Sequence, residues 1–146
     1  MLLFPRRQST IIAMDHNEIL PHLHVGSCPR SGEDIDRLKQ EAGVTAVVNL
    51  QTSGDFTYWE IDWPVLEAHY HEAGVEVRWL PIQDFNREAL RENLPRCVEA
   101  VDGLMQNGHI VYVHCNVVIP VTLHLLFCLG CGYLAVRLYS HRRRKT

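Results

Sequence analysis

The chain has 146 residues, 47% hydrophobic and 21% charged. That is the size of about one domain with ordinary globular usage, and it argues against a disordered or collagen-like chain. Fourteen Lys and Arg against 17 Asp and Glu give a net charge of −3, whereas a protein that grips nucleic acid along its length is basic; no nucleic-acid partner is expected.

In chain order, residues 19–26 are apolar at alternate positions and predict a strand. Ser31 opens S-G-E-D, an N-cap with acids in the first turn. Ile35, Leu38 and Ala42 then share one helical face, and Gly43 ends the helix. Residues 44–50 form an apolar strand. Asp62 caps a second helix with Pro64 in its first turn, running to Gly74, and a strand over 75–80 follows. After a loop at 81–86, a helix over 87–107 stops at Gly108 and leads to a strand over 109–113. Strands separated by helices imply a mostly parallel sheet with helices on its faces. Ligands in such folds sit beyond the carboxyl ends of the strands, which directs attention to His114 and Cys115.

The five cysteines, Cys28, Cys97, Cys115, Cys128 and Cys131, have an odd count and irregular spacing, and the first ten residues lack a signal-peptide pattern. A reducing, cytoplasmic compartment is expected. Cys128-x-x-Cys131 has no second ligand pair. His22/His24 and His69/His71 have no nearby Asp or Cys to complete a ligand set. No metal or organic cofactor is expected.

A cysteine where a buried strand ends and a helix begins has a specific chemical use. Backbone N–H groups and the helix dipole favour the thiolate and hold phosphate oxygens. A thiolate can carry a phosphoryl group covalently. Asp84 lies on a loop that opens at the same sheet edge, where it is suited to protonating a leaving oxygen.

Residues 19–50, with GSCPR at 26–30, the loop LPIQDFN (80–86) and NGHIVYVHCN (107–116) resemble the dual-specificity phosphatase family, most of all its glucan-phosphatase branch. The resemblance implies a three-layer α/β fold with a mostly parallel central sheet, and two-step hydrolysis of phosphomonoesters through a cysteinyl phosphate. It implies Cys115 as nucleophile, Asp84 as general acid and His114 as an influence on the thiol. It also implies substrate contacts at Asn116, Tyr58, Trp59 and Phe85, the aromatic residues stacking on glucan. The implied partners are a phosphorylated glucan or a phosphoprotein.

The sequence departs from the family within its signature, H-C-x5-R followed by Ser or Thr. The segment reads His114, Cys115, Asn116, Val117, Val118, Ile119, Pro120, Val121, Thr122, so Val121 occupies the arginine position. Arginine supplies a bidentate, permanently charged clamp on the phosphoryl oxygens. Pro120 has no N–H to donate and Val118 resists positive φ, so the loop's amide cradle is compromised too. Little or no turnover is expected, which makes a non-catalytic glucan- or phosphoprotein-binding module the alternative.

Three regions follow: an extension over 1–17, a phosphatase-like domain over 18–116 and a divergent tail over 117–146 whose helices are missing or replaced. Residues 117–138 carry a single charge, Arg137, and the last six residues carry four basic residues and no acid. Such an apolar run matches the ~20 residues that span a bilayer. Three readings stay open for it: an aberrant or alternative C-terminus, a membrane anchor that makes the chain a tethered interaction protein, or a diverged soluble ending.

Overall fold

The computed structural model describes residues 14, 16–84 and 86–116. Five strands form one sheet in the order β1-β2-β5-β3-β4. They are β1 (His16–Leu20), β2 (Leu23–Gly26), β3 (Ala46–Asn49), β4 (Glu76–Trp79) and β5 (Val111–His114). β2, β5, β3 and β4 run parallel, and β1 is an antiparallel edge strand. The helices are α1 (Gly32–Ala42), α2 (Ser53–Tyr58), α3 (Trp63–Glu72) and α4 (Arg87–Gln106).

The period-2 alternation of buried strands divides the core into two layers. Leu23, Val25, Ala46, Val48, Val111 and Val113 pack with Val98, Val101 and Leu104 of α4. Val47 and Tyr112 point the other way, among Ile35 and Leu38 of α1 and Leu66 and Tyr70 of α3. Helices therefore cover both faces, which is the expected three-layer α/β arrangement.

The helix boundaries follow local chemistry. Ser31 accepts from Asp34 N to start α1, and Gly43, at φ 66°, ends it in the left-handed conformation that costs glycine least. Asp62 accepts from Val65 N to start α3. α4 continues through Pro95, which has no N–H to complete its turn.

Two sequence expectations are corrected. Residues 19–26 do not form one strand: the chain turns at Pro21-His22, with His22 at φ 70°, and folds back as the β1–β2 hairpin. Residues 53–58, assigned no element from the sequence, form α2. Thr52 and Asp55 close a reciprocal capping box there, with Asp55 taking the N3 position.

Gly32 of α1 lies close against His69 of α3. A Cβ placed on it would lie 2.4 Å from the ring of His69, which sits 3.0 Å from Asp36. Gly32→Ala is expected to displace that ring and destabilise the fold by about 1–3 kcal/mol, the usual cost of overpacking. Urea unfolding of Gly32→Ala, with and without His69→Ala, checks this. The loss should shrink when the ring is removed, because the two sites are coupled.

Among the described residues, no helix is long and apolar enough to cross a membrane. The tail over 117–146, its proposed anchor and Phe85 lie outside the described residues.

Candidate active site

The carboxyl edge of the sheet is laced together where β3, β4 and β5 end. Leu50 N donates to His114 O at 3.0 Å, Leu80 N to Asn49 O at 2.8 Å and Ile82 N to Leu50 O at 3.0 Å. These bonds carry the 81–86 loop across the end of β3 toward the end of β5. Cys115 is the first residue beyond β5 and is 7% exposed.

A chain of amides links the two loops. Gln51 is fully buried, and its Nε2 donates to Asn116 Oδ1 at 2.9 Å. Asn116 Nδ2 donates in turn to Asp84 Oδ2 at 2.8 Å. Gln51 is itself held by its own N–H on Asn49 Oδ1 at 2.8 Å and by Trp79 Nε1 on its carbonyl at 2.6 Å. The Asp84 carboxylate is thereby fixed to the residue that follows Cys115.

Sequence reasoning missed Asn49 and Gln51. The available signal was two amide side chains closing a buried apolar strand, positions where a polar group must find a partner. Asn116→Ala would leave Gln51 Nε2 buried without its acceptor and remove a donor from Asp84. A loss of about 1–3 kcal/mol is expected. Faster amide exchange at Asp84 and Asn86 should accompany it, read by hydrogen-exchange NMR alongside urea unfolding.

The remaining sequence-named residues are placed as follows. His114 is buried at the end of β5, with Nδ1 3.3 Å from the Cys115 carbonyl. Asn116 has its amide engaged at both ends, as a brace between Gln51 and Asp84. Tyr58 ends α2 and is 77% exposed. Trp59 is half-buried, with Tyr58 edge-on at 5.0 Å and the Arg30 guanidinium 4.2 Å from its ring centroid.

Burial acts on the two other described thiols. Burial pushes Cys97 up to about 11. Burial also raises Cys28; a hydrogen bond from Arg30 opposes that rise, and the charge of Cys115 adds to it. Both are held in the thiol form at neutral pH, which disfavours either as a nucleophile.

In chemical terms, a cysteine at a sheet edge with a carboxylate fixed on the adjoining loop suits nucleophilic displacement with proton donation to the leaving group.

No protein-family model matches the chain. It is 40% identical to laforin of Mus musculus over 114 residues, covering 71% of this chain and 34% of laforin. It is 33% identical over 105 residues to the chloroplastic phosphoglucan phosphatase LSF1 of Arabidopsis thaliana, covering 72% of this chain and 18% of that protein. With the amyloplastic phosphoglucan phosphatase DSP4 of Castanea sativa it shares 32% identity over 136 residues, 88% of this chain and 36% of that protein. The chain thus spans about a third or less of these relatives.

Solved structures agree in fold alone. A mutant form of Tk-PTP superposes with a TM-score of 0.55 at 22% identity, covering 69% of this chain and 60% of that one. Kinase-associated phosphatase, with its catalytic cysteine replaced by serine, gives 0.51 at 18% identity, covering 64% and 56%.

Proposed function

Because this chain belongs to the dual-specificity phosphatase family and resembles its glucan-phosphatase branch, we propose that it is built to engage phosphomonoesters on a glucan, with Cys115 as nucleophile and Asp84 as general acid. The observation that carries this reading is the Asn116–Asp84 hydrogen bond of 2.8 Å, which fastens the carboxylate beside the residue following Cys115.

In the first step the Cys115 sulfur attacks phosphorus, the bond from phosphorus to the ester oxygen breaks, and Asp84 protonates the departing oxygen. In the second, the Asp84 carboxylate takes a proton from water as that water displaces the sulfur, releasing phosphate and the thiolate. Both steps need positive charge and N–H donors around the phosphoryl oxygens. Val121 stands where the family has arginine, Pro120 has no N–H to donate and Val118 resists positive φ. Loss of one such stabiliser lowers rate by about 10²–10³, so turnover is slow. The chain then acts chiefly as a holder of phosphorylated glucan, a role favoured by the exposure of Tyr58 beside Trp59.

Hydrolysis of para-nitrophenyl phosphate and co-sedimentation with amylopectin test this. The expected result is slow turnover that disappears in Cys115→Ser and falls in Asp84→Asn, together with retained glucan binding that weakens in Tyr58→Ala. Turnover as fast as that of an arginine-bearing relative would overturn the impairment, and turnover indifferent to Cys115 would overturn the nucleophile.

A further inference from the structure

Arg30 belongs to the loop that leaves β2. β2 and β5 pair in parallel with Gly26 opposite His114, so the chain after Gly26 and the chain after His114 leave the sheet side by side at the same edge. The 27–31 loop is fastened along its length. Tyr112 Oη donates to Ser27 O at 2.5 Å, Arg30 N donates to Asp34 Oδ2 at 2.9 Å, and Ser31 caps α1.

The side chain also has a defined neighbour. Its guanidinium lies over the Trp59 ring, 4.2 Å from the centroid, and its positive charge opposes the rise that burial imposes on the Cys28 thiol. Stacking uses one face of a guanidinium and leaves its edge donors free for a second partner. No ion pair forms at Arg30 among the described residues, whereas Arg37 pairs with Glu41 and Arg78 with Glu76. Arg30 is therefore an oriented, exposed cation with no carboxylate ion pair among the described residues, at the edge where Cys115 emerges.

We infer that Arg30, propped on Trp59, is the residue with which this chain binds the phosphate group of a phosphorylated sugar. The inference rests on the glucan reading above for the sugar, and on Arg30 alone for the phosphate. A planar fork matches two phosphate oxygens, a geometry Lys does not reproduce. The arrangement also divides the two aromatic residues. One face of Trp59 is occupied by Arg30, so Trp59 serves phosphate binding by orienting the cation, and Tyr58 is the ring left open to the sugar.

Two probes separate the sources of phosphate. Inorganic phosphate is titrated calorimetrically into wild type, Arg30→Gln, Arg30→Lys and Arg91→Gln, a surface arginine of α4. Arg30→Gln is expected to bind about tenfold more weakly, the size of one lost charge-assisted contact. Arg30→Lys, which keeps the charge, is expected to fall between Arg30→Gln and wild type. Arg91→Gln is expected to match wild type. Phosphate affinity of Arg30→Gln within twofold of wild type overturns the assignment, and so does an equal loss in Arg91→Gln.

Co-sedimentation then compares phosphorylated amylopectin with the same polymer stripped of phosphate. Wild type is expected to prefer the phosphorylated form, and Arg30→Gln to bind both alike. If wild type ignores both polymers while its phosphate affinity still depends on Arg30, the glucan reading fails and the phosphate assignment stands. If wild type and Arg30→Gln pellet alike with both polymers and bind phosphate alike, the glucan reading stands and the assignment fails.

Discussion

Tyr112→Ala is expected to leave the chain largely unfolded at ordinary temperatures. Tyr112 is fully buried in β5, the middle strand of the sheet, and packs within the layer formed by α1 and α3. Emptying a site of that size costs about 3–5 kcal/mol, from the lost transfer energy and from the cavity left behind. A small domain has only about 5–15 kcal/mol in total. The hydroxyl adds a second effect, since it anchors the Ser27 carbonyl and with it the loop that carries Arg30. Tyr112→Phe keeps the ring and loses only that bond, so about 1 kcal/mol is expected. Thermal unfolding by circular dichroism separates the two variants. A Tyr112→Ala midpoint within a few degrees of wild type would show that the sheet does not depend on this ring.

Rebuilding the phosphate loop is expected to raise turnover by about 10²–10³. The variant combines Val118→Gly, Pro120→Gly and Val121→Arg, with para-nitrophenyl phosphate as substrate. Arginine restores the clamp, and the glycines restore an N–H donor and the freedom to take positive φ. Val121→Arg alone is expected to gain less, because a clamp without its amide cradle leaves the phosphoryl group poorly oriented. Adding Cys115→Ser should abolish the gain. A rebuilt loop no faster than wild type would place the defect elsewhere, and a gain that survives Cys115→Ser would exclude a cysteinyl phosphate.

The local elements were legible because their causes are local. Ser31, Gly43 and Asp62 sit where helix ends must satisfy their own backbone groups, and each was readable from its neighbours. The hairpin was hidden because alternation continues through Pro21-His22, and because a positive φ at histidine carries no sequence mark. α2 was hidden because six residues are too few to display a helical period.

By itself, then, the sequence determined the alternation of strands and helices, most of their limits, the family likeness, and the replacement of the signature arginine by Val121. Each of these depends on adjacent residues or on spacing along the chain. Only the tertiary structure decided the order β2-β5-β3, the bridge from Gln51 through Asn116 to Asp84, and the seating of Arg30 on Trp59. Gln51 and Asn116 are 65 residues apart, and Asp84 and Asn116 are 32 apart. No periodicity links such positions. They meet because burying both faces of one sheet brings the ends of its strands to a common edge, where buried amides must find partners.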